Sequence, residues 1–120
     1  MAASILLVDD NENFLSFLER VFSKRGYHVK TASNGEEALK LIDEGSFAVA
    51  ILDIRMGPVD GISLLMEIKR REPFLKSIII TGYPTPETRF RAFQNGASAY
   101  LTKPVDLEEL VDTTRSLMAN

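Results

Sequence analysis

Five polar side chains close apolar runs in this 120-residue chain, and their types suit phosphate chemistry. Asp9 and Asp10 follow Ser4–Val8, Asp53 follows Phe47–Leu52, Thr81 follows Ile78–Ile80, and Lys103 follows Ser98–Thr102. Carboxylates gathered in one place repel one another, which raises the cost of keeping all of them ionised, and a hard cation relieves that repulsion. Mg²⁺ answers well: it takes oxygen ligands in a strict octahedron and commonly sits on one or two carboxylates plus a phosphate. Lys103 adds a mobile point charge for an anion that comes and goes. Thr81 offers a hydroxyl donor, and Gly82 leaves room for a phosphoryl group to approach the backbone. With no Cys and a lone His28, Asp53 is left as the nucleophile, and a carboxylate nucleophile makes an acyl phosphate. The chemistry these residues imply is Mg²⁺-assisted phosphoryl transfer to an aspartate.

Such a site needs a scaffold that brings the ends of four runs together. Ser4–Val8 is too short for an ordinary helix and reads as a buried strand. Phe14, Leu15, Phe17, Leu18, Val21 and Phe22 recur at helical spacing, with Asn11 as N-cap and Gly26 at the C-terminal end. Tyr27–Ala32 alternates like a partly exposed strand. Ser33 and Glu36 have capping-box spacing before a helix over Ala38, Leu41 and Ile42, which Gly45 closes. Phe47–Leu52 shows no polar alternation, as expected of a strand covered on both faces. A loop with Gly57 and Pro58 leads to Asp60 and a helix over Ile62, Leu65, Met66 and Ile68, stopped by Pro73. Ile78–Ile80 is the fourth strand, ending at Thr81. Thr85-Pro86 opens a helix whose apolar face is Phe90 and Phe93, ending at Asn95-Gly96. Ser98–Thr102 is the fifth strand, and Asp106 with Glu109 caps a last helix over Leu107, Leu110, Val111, Thr114, Leu117 and Met118.

Five buried strands alternating with five amphipathic helices predict an α/β fold, a three-layer sandwich around a parallel sheet joined by right-handed crossovers, with residues 1–120 as a single domain. Ligands of such sheets bind beyond the carboxyl ends of the strands, where strand order reverses. The second strand ends in Thr31-Ala32-Ser33 without charge, which fits the order 2-1-3-4-5 with that strand at an edge. Asp9, Asp10 and Asp53 are then neighbours.

Composition narrows the classes further. The absence of Cys removes disulfide scaffolds, thiolate zinc sites and cysteine nucleophiles. Fourteen Lys plus Arg against 17 Asp plus Glu give a net charge of -3, which argues against nucleic acid binding. The longest apolar run falls far short of the roughly 20 residues of a membrane span, and no basic region precedes a long apolar one at the start, so the expectation is a cytoplasmic protein without membrane contact. Taken singly, the polar residues have bland readings. Asp9 and Asp10 could merely open a helix, Thr81 could be a strand-end hydroxyl, and Lys103 could be a solvated loop cation. Asp53 is harder to dismiss, because a carboxylate after six apolar residues costs energy unless it is bonded. Lys69-Arg70-Arg71 offsets a helix dipole. Asp9, Asn11 and Asn13 have the spacing of a calcium loop, but Phe14 and Arg20 stand where its glycine and glutamate belong.

The distributed set Val8-Asp9-Asp10-Asn11-Glu12, Leu52-Asp53-Ile54-Arg55-Met56, Asp60-Gly61, Thr81-Gly82, Tyr100 and Lys103-Pro104 resembles the receiver domain of two-component response regulators, over nearly the whole chain. The resemblance implies that Asp53 accepts a phosphoryl group from a sensor histidine kinase, a histidine phosphotransfer protein or a small phosphodonor. It implies Mg²⁺ held by Asp10, Asp53 and the backbone carbonyl of Arg55, with Asp9 acting through the ion's water. Thr81 and Lys103 would bind the phosphoryl oxygens, and Lys103-Pro104 would be a cis peptide. Tyr100 would be the switch aromatic, changing the surface of the fourth helix, fifth strand and fifth helix, through which a homodimer or an output partner would be engaged. The family usually has Pro directly after the Met of the third loop, whereas Gly57 and then Pro58 follow Met56 here. Arg55 and Tyr83 occupy the positions that tune phosphorylation and hydrolysis rates. Two other classes compete. A phosphatase of the haloacid-dehalogenase type needs a second Asp where Arg55 stands, and a binding module that no longer accepts phosphate would be expected to lack Asp53, Asp10 or Lys103. Met1, three residues before the first strand, is expected to be the true N-terminus of the protein, with an effector downstream as one arrangement.

Overall fold

Apolar runs that no polar residue interrupts must be covered on both faces, and here they form the inner strands of one parallel sheet. The computed structural model describes residues 3–56 and 59–119. Their elements, in chain order, are β1 (Ser4–Val8), α1 (Glu12–Ser23), β2 (His28–Ala32), α2 (Gly35–Glu44), β3 (Val49–Asp53), β4 (Arg55–Met56), β5 (Val59–Asp60), α3 (Gly61–Arg71), β6 (Lys76–Thr81), α4 (Pro86–Gln94), β7 (Ala99–Thr102) and α5 (Leu107–Met118). The main sheet runs β2-β1-β3-β6-β7, all parallel, which is the expected 2-1-3-4-5 order.

Alternation along the strands sends side chains to two separate cores. Leu6, Val8, Leu52 and Ile79 meet α2, α3 and α4 through Ile42, Leu65, Ile68 and Ala92. Ile5, Leu7, Ile51 and Ile80 meet α1 and α5 through Leu18, Phe22, Leu110 and Val111. The three-layer sandwich is therefore as expected. Gly26 and Gly96 take positive φ, +90° and +102°, in the turns after α1 and α4, where a β-carbon would be strained.

Several details differ from the sequence reading. The short antiparallel pair β4-β5 lies where a plain loop is expected; two-residue strands carry no periodicity to read. Helix α2 is capped by Asn34, whose side chain accepts from the Glu37 N–H, while Glu37 reaches back to the Ser33 backbone N–H at 2.9 Å. The capping pair is thus one residue later than Ser33 and Glu36. Strand β3 begins at Val49 rather than Phe47 and includes Asp53 itself. Finally, Phe90 and Phe93 do not face the core: Phe90 is 65% exposed, and the buried residue of α4 is Ala92. Gly57 and Pro58 lie outside the described residues. Among the described residues, no helix is long and apolar enough to cross a membrane.

Candidate functional site

Because β1 and β3 are adjacent and in register, Val8 beside Leu52, the residues that follow them come together at one end of the sheet. Asp9, Asp10 and Asp53 each offer a carboxylate oxygen, and these oxygens lie within 4.8 Å of one another. Asp9 is 3% and Asp53 7% exposed, while Asp10 faces solvent. Such an all-oxygen donor set, two buried members and one exposed, suits a hard divalent cation that keeps some of its water.

Lys103 arrives from the other side of the sheet. Its backbone N–H donates to the Thr81 carbonyl at 2.8 Å, which carries the β6-β7 ladder one step beyond β7. Its ammonium then donates to Asp9 Oδ2 at 2.8 Å and to Asp53 Oδ2 at 3.1 Å. Lys103 thus bridges two carboxylates. Lys103-Pro104 is a cis peptide, as expected.

Burial divides unequally across this cluster. Desolvation pushes the Asp9 carboxyl above its ordinary value, against the hydrogen bonds from Lys103 and from the Asn11 N–H. Desolvation also acts to lower Lys103, but there the hydrogen bond and charge of Asp9, with the charge of Asp53, win and hold the ammonium more firmly protonated. The difference follows from depth: Asp9 is shut away from water, whereas the lysine side chain keeps part of its hydration.

Thr81, fully buried at the end of β6, accepts at Oγ1 from the Tyr83 N–H at 3.1 Å. A β-carbon at Gly82 would meet only the Lys103 stem, at 3.9 Å, so the room expected there exists without Gly82 being required for it. Arg55 heads β4 two residues after Asp53, which places its backbone at the same end of the sheet. Gly61 opens α3 and donates its N–H to the Ile54 carbonyl at 2.8 Å. An added β-carbon there would stand 2.4 Å from the Asp53 carbonyl oxygen, so only glycine permits the approach.

Tyr100 is removed from this cluster. Its hydroxyl lies 2.8 Å from Thr88 Oγ1, and Thr88 forms a reciprocal capping box with Thr85 at the start of α4. Beside it, Pro84, Pro86, Arg89, Phe90 and Phe93 line an open groove of about 570 Å³.

Two residues at this site carry more than the sequence revealed. Asn11 is both the N-cap of α1 and, through its N–H, a 2.9 Å donor to Asp9 Oδ1. Phe14 places its ring centroid 4.6 Å from the Lys103 ammonium. The spacing marked Asn11 as a cap and Phe14 as apolar face; the Asn11 bond to Asp9 is a local turn contact, whereas the Phe14 contact with a cation depends on strand order.

The fold recurs in known proteins. The family model of the response regulator receiver domain matches residues 5–115. Transcriptional regulatory protein ZraR of Escherichia coli (strain K12) is 36% identical over 116 residues, which is 97% of this chain and 26% of ZraR. The chain thus spans about a quarter of the length of such curated relatives. A response regulator from Burkholderia pseudomallei, solved with a phosphorylated aspartic acid, calcium ion and citrate, superposes with a TM-score of 0.90 at 32% identity, over 98% of this chain and 69% of that one. TrrA of Thermotoga maritima, solved in complex with Mg²⁺-BeF, gives a TM-score of 0.86 at 32% identity, over 96% and 98% of the two chains. The match over almost the entire length, with acids at the ends of β1 and β3 and a lysine after β7, makes the chain a member of the response regulator receiver domain family.

Proposed function

We propose that this receiver domain is a phosphorylation-operated switch in which Asp53 is the acceptor. The observation that carries the reading is the Lys103 ammonium shared between the buried carboxylates of Asp9 and Asp53, with the Thr81 hydroxyl at the next strand end. An Asp53 oxygen attacks phosphorus in line, an O–P bond forms, and the P–N bond to a donor phosphohistidine breaks. The bonding pair leaves on the imidazole nitrogen, which takes a proton from solvent. Lys103 moves its hydrogen bond from the Asp53 carboxylate to a phosphoryl oxygen, and the Thr81 hydroxyl, whose oxygen accepts from the Tyr83 N–H, donates its own proton to another.

Asp10, Asp53 and the Arg55 carbonyl would hold Mg²⁺ directly, with Asp9 acting through its water. The oxygen-only donor set fits such an ion, and TrrA carries Mg²⁺ beside beryllofluoride. When bound, Mg²⁺ neutralises charge on the phosphoryl oxygens. The donor class is a sensor histidine kinase or a histidine phosphotransfer protein. Tyr100 transmits the change to α4, β7 and α5, the face offered to an output partner or a second copy. The domain acts on its own aspartate and turns over no external substrate.

The test is intact mass after incubation with Mg²⁺ and acetyl phosphate. The native chain is expected to gain one phosphoryl group and Asp53→Asn none. A native chain without adduct, where another receiver is labelled, overturns the reading; multiple-turnover release of phosphate from external esters would assign it to the enzyme class.

A further inference from the structure

We propose that Phe14 is a positioning residue for the phosphoryl chemistry at Asp53: its ring, fixed by the first turn of α1, holds the Lys103 ammonium over the site. This inference rests on the reading of Asp53 as acceptor. Four contacts close a circuit around the lysine. Asp9 Oδ1 accepts from the Asn11 N–H at 2.9 Å, and Asn11 Oδ1 accepts from the Phe14 N–H at 3.1 Å. The Phe14 ring then faces Lys103 Nζ at 4.6 Å, and that nitrogen donates to Asp9 Oδ2 at 2.8 Å. The N-cap of α1 thus fixes the acid and the ring that flank the same cation.

The ring differs from the other two partners in what phosphorylation does to it. Once an Asp53 oxygen carries the phosphoryl group, that carboxylate no longer pairs with Lys103 as before, and with Mg²⁺ bound Asp9 would face the ion's water. Phe14 remains where it was, because α1 is anchored in the core through Leu15, Leu18 and Phe22. An aromatic face attracts an ammonium without competing for its hydrogen bonds along the lines of the N–H vectors that a phosphoryl oxygen needs. Phe14 therefore keeps the cation near the site while its anionic partners change. A leucine would fill much of the same space but offers no quadrupole.

The test compares native chain, Phe14→Leu and Phe14→Tyr, following Asp53 phosphorylation by acetyl phosphate and Mg²⁺ through intact mass. Phe14→Leu is expected to slow phosphorylation by about threefold to tenfold, the range set by a partly desolvated cation–π contact, and Phe14→Tyr by less than about twofold. Mg²⁺ affinity, read from thermal shifts, stays unchanged in both. The Lys103 ε-methylene protons are expected upfield, under the ring current, in native and Phe14→Tyr chains and downfield of that in Phe14→Leu, both free and with beryllofluoride. Phosphorylation of Phe14→Leu at the native rate, equal losses in the two variants, or a ring-current shift absent from the beryllofluoride complex each overturn the proposal. If the native chain takes no phosphoryl group, the proposed function fails instead, and the ring-current shift in the free protein still reports whether Phe14 holds the ammonium.

Discussion

The Tyr100 hydroxyl and Thr88 Oγ1, 2.8 Å apart, tie β7 to the first turn of α4. Thr88 also accepts from the Thr85 N–H at 3.2 Å, so one hydroxyl serves both the helix cap and the aromatic ring. Thr88→Val removes both interactions and is expected to cost about 1 kcal/mol in urea denaturation. Tyr100→Phe, which leaves the cap intact, is expected to cost less. If Tyr100 reorients on phosphorylation, the bond must break, and Thr88→Val shifts the unmodified protein toward the phosphorylated arrangement. Tyr100 ring resonances in unmodified Thr88→Val that coincide with the native unmodified ones would contradict this.

At the site itself, the buried Asp9 carboxylate costs stability that its partners do not fully return. Asp9→Asn keeps the shape and is expected to raise metal-free stability by roughly 1 kcal/mol at neutral pH. Asp10→Asn, at an exposed position, changes metal-free stability little. Mg²⁺ at about a hundred times its dissociation constant adds about 2.7 kcal/mol to the native protein, and both variants gain less at the same concentration. Equal gains in all three proteins, measured by thermal unfolding, would remove the acidic cluster as the binding site.

Gly61→Ala tests the close approach of α3 to β3. The new β-carbon would stand 2.4 Å from the Asp53 carbonyl oxygen and 2.5 Å from the Ile54 Cα, both backbone atoms that cannot swing aside. The expected loss is about 2–3 kcal/mol, together with weaker Mg²⁺ binding because the backbone carrying Asp53 must shift. Native stability and native metal affinity together would show that the approach is not as tight as described.

Between α2 and α3, Arg71 bonds Asp43 at 2.7 Å and Glu67 at 3.0 Å, and Arg70 also grips Glu67. Hydrogen bonds from Arg70 and then Arg71 hold the Glu67 carboxyl down at about 2, from an ordinary 4.5. A folded-state value below the unfolded one gives stability that is present above pH 4.5 and is lost as pH falls toward 2. Glu67→Gln is therefore expected to melt slightly below the native chain at neutral pH, with the gap closing through that acid window. The carboxylate is partly exposed, so salt should shrink the gap as well. A gap that widens in acid would contradict the assignment.

Much of the site was legible because each polar residue ends an apolar run, and parallel sheets gather strand ends. Asp9, Asp53, Thr81 and Lys103 could be placed from that rule alone. The helical period of Phe90 and Phe93 was equally visible, but period does not say which face turns inward. Ala92, small enough to let α4 sit close, takes the core position instead. The Asn34 cap was missed by one residue because Ser33, Asn34, Glu36 and Glu37 all have side chains able to cap, and only backbone geometry chooses among them. The Phe14 contact was invisible for another reason: its partner lies far along the chain, and only the folded sheet brings the two together.

Asp53 closes the central strand of the sheet, with β1 on one side and β6 on the other. Strands in that position open last, and their amides exchange with solvent only when most of the molecule unfolds. On the proposed function, a phosphoryl group on Asp53 would sit at the end of the most enclosed strand, while α4, which buries a single residue, would be the loosely held element that responds to it.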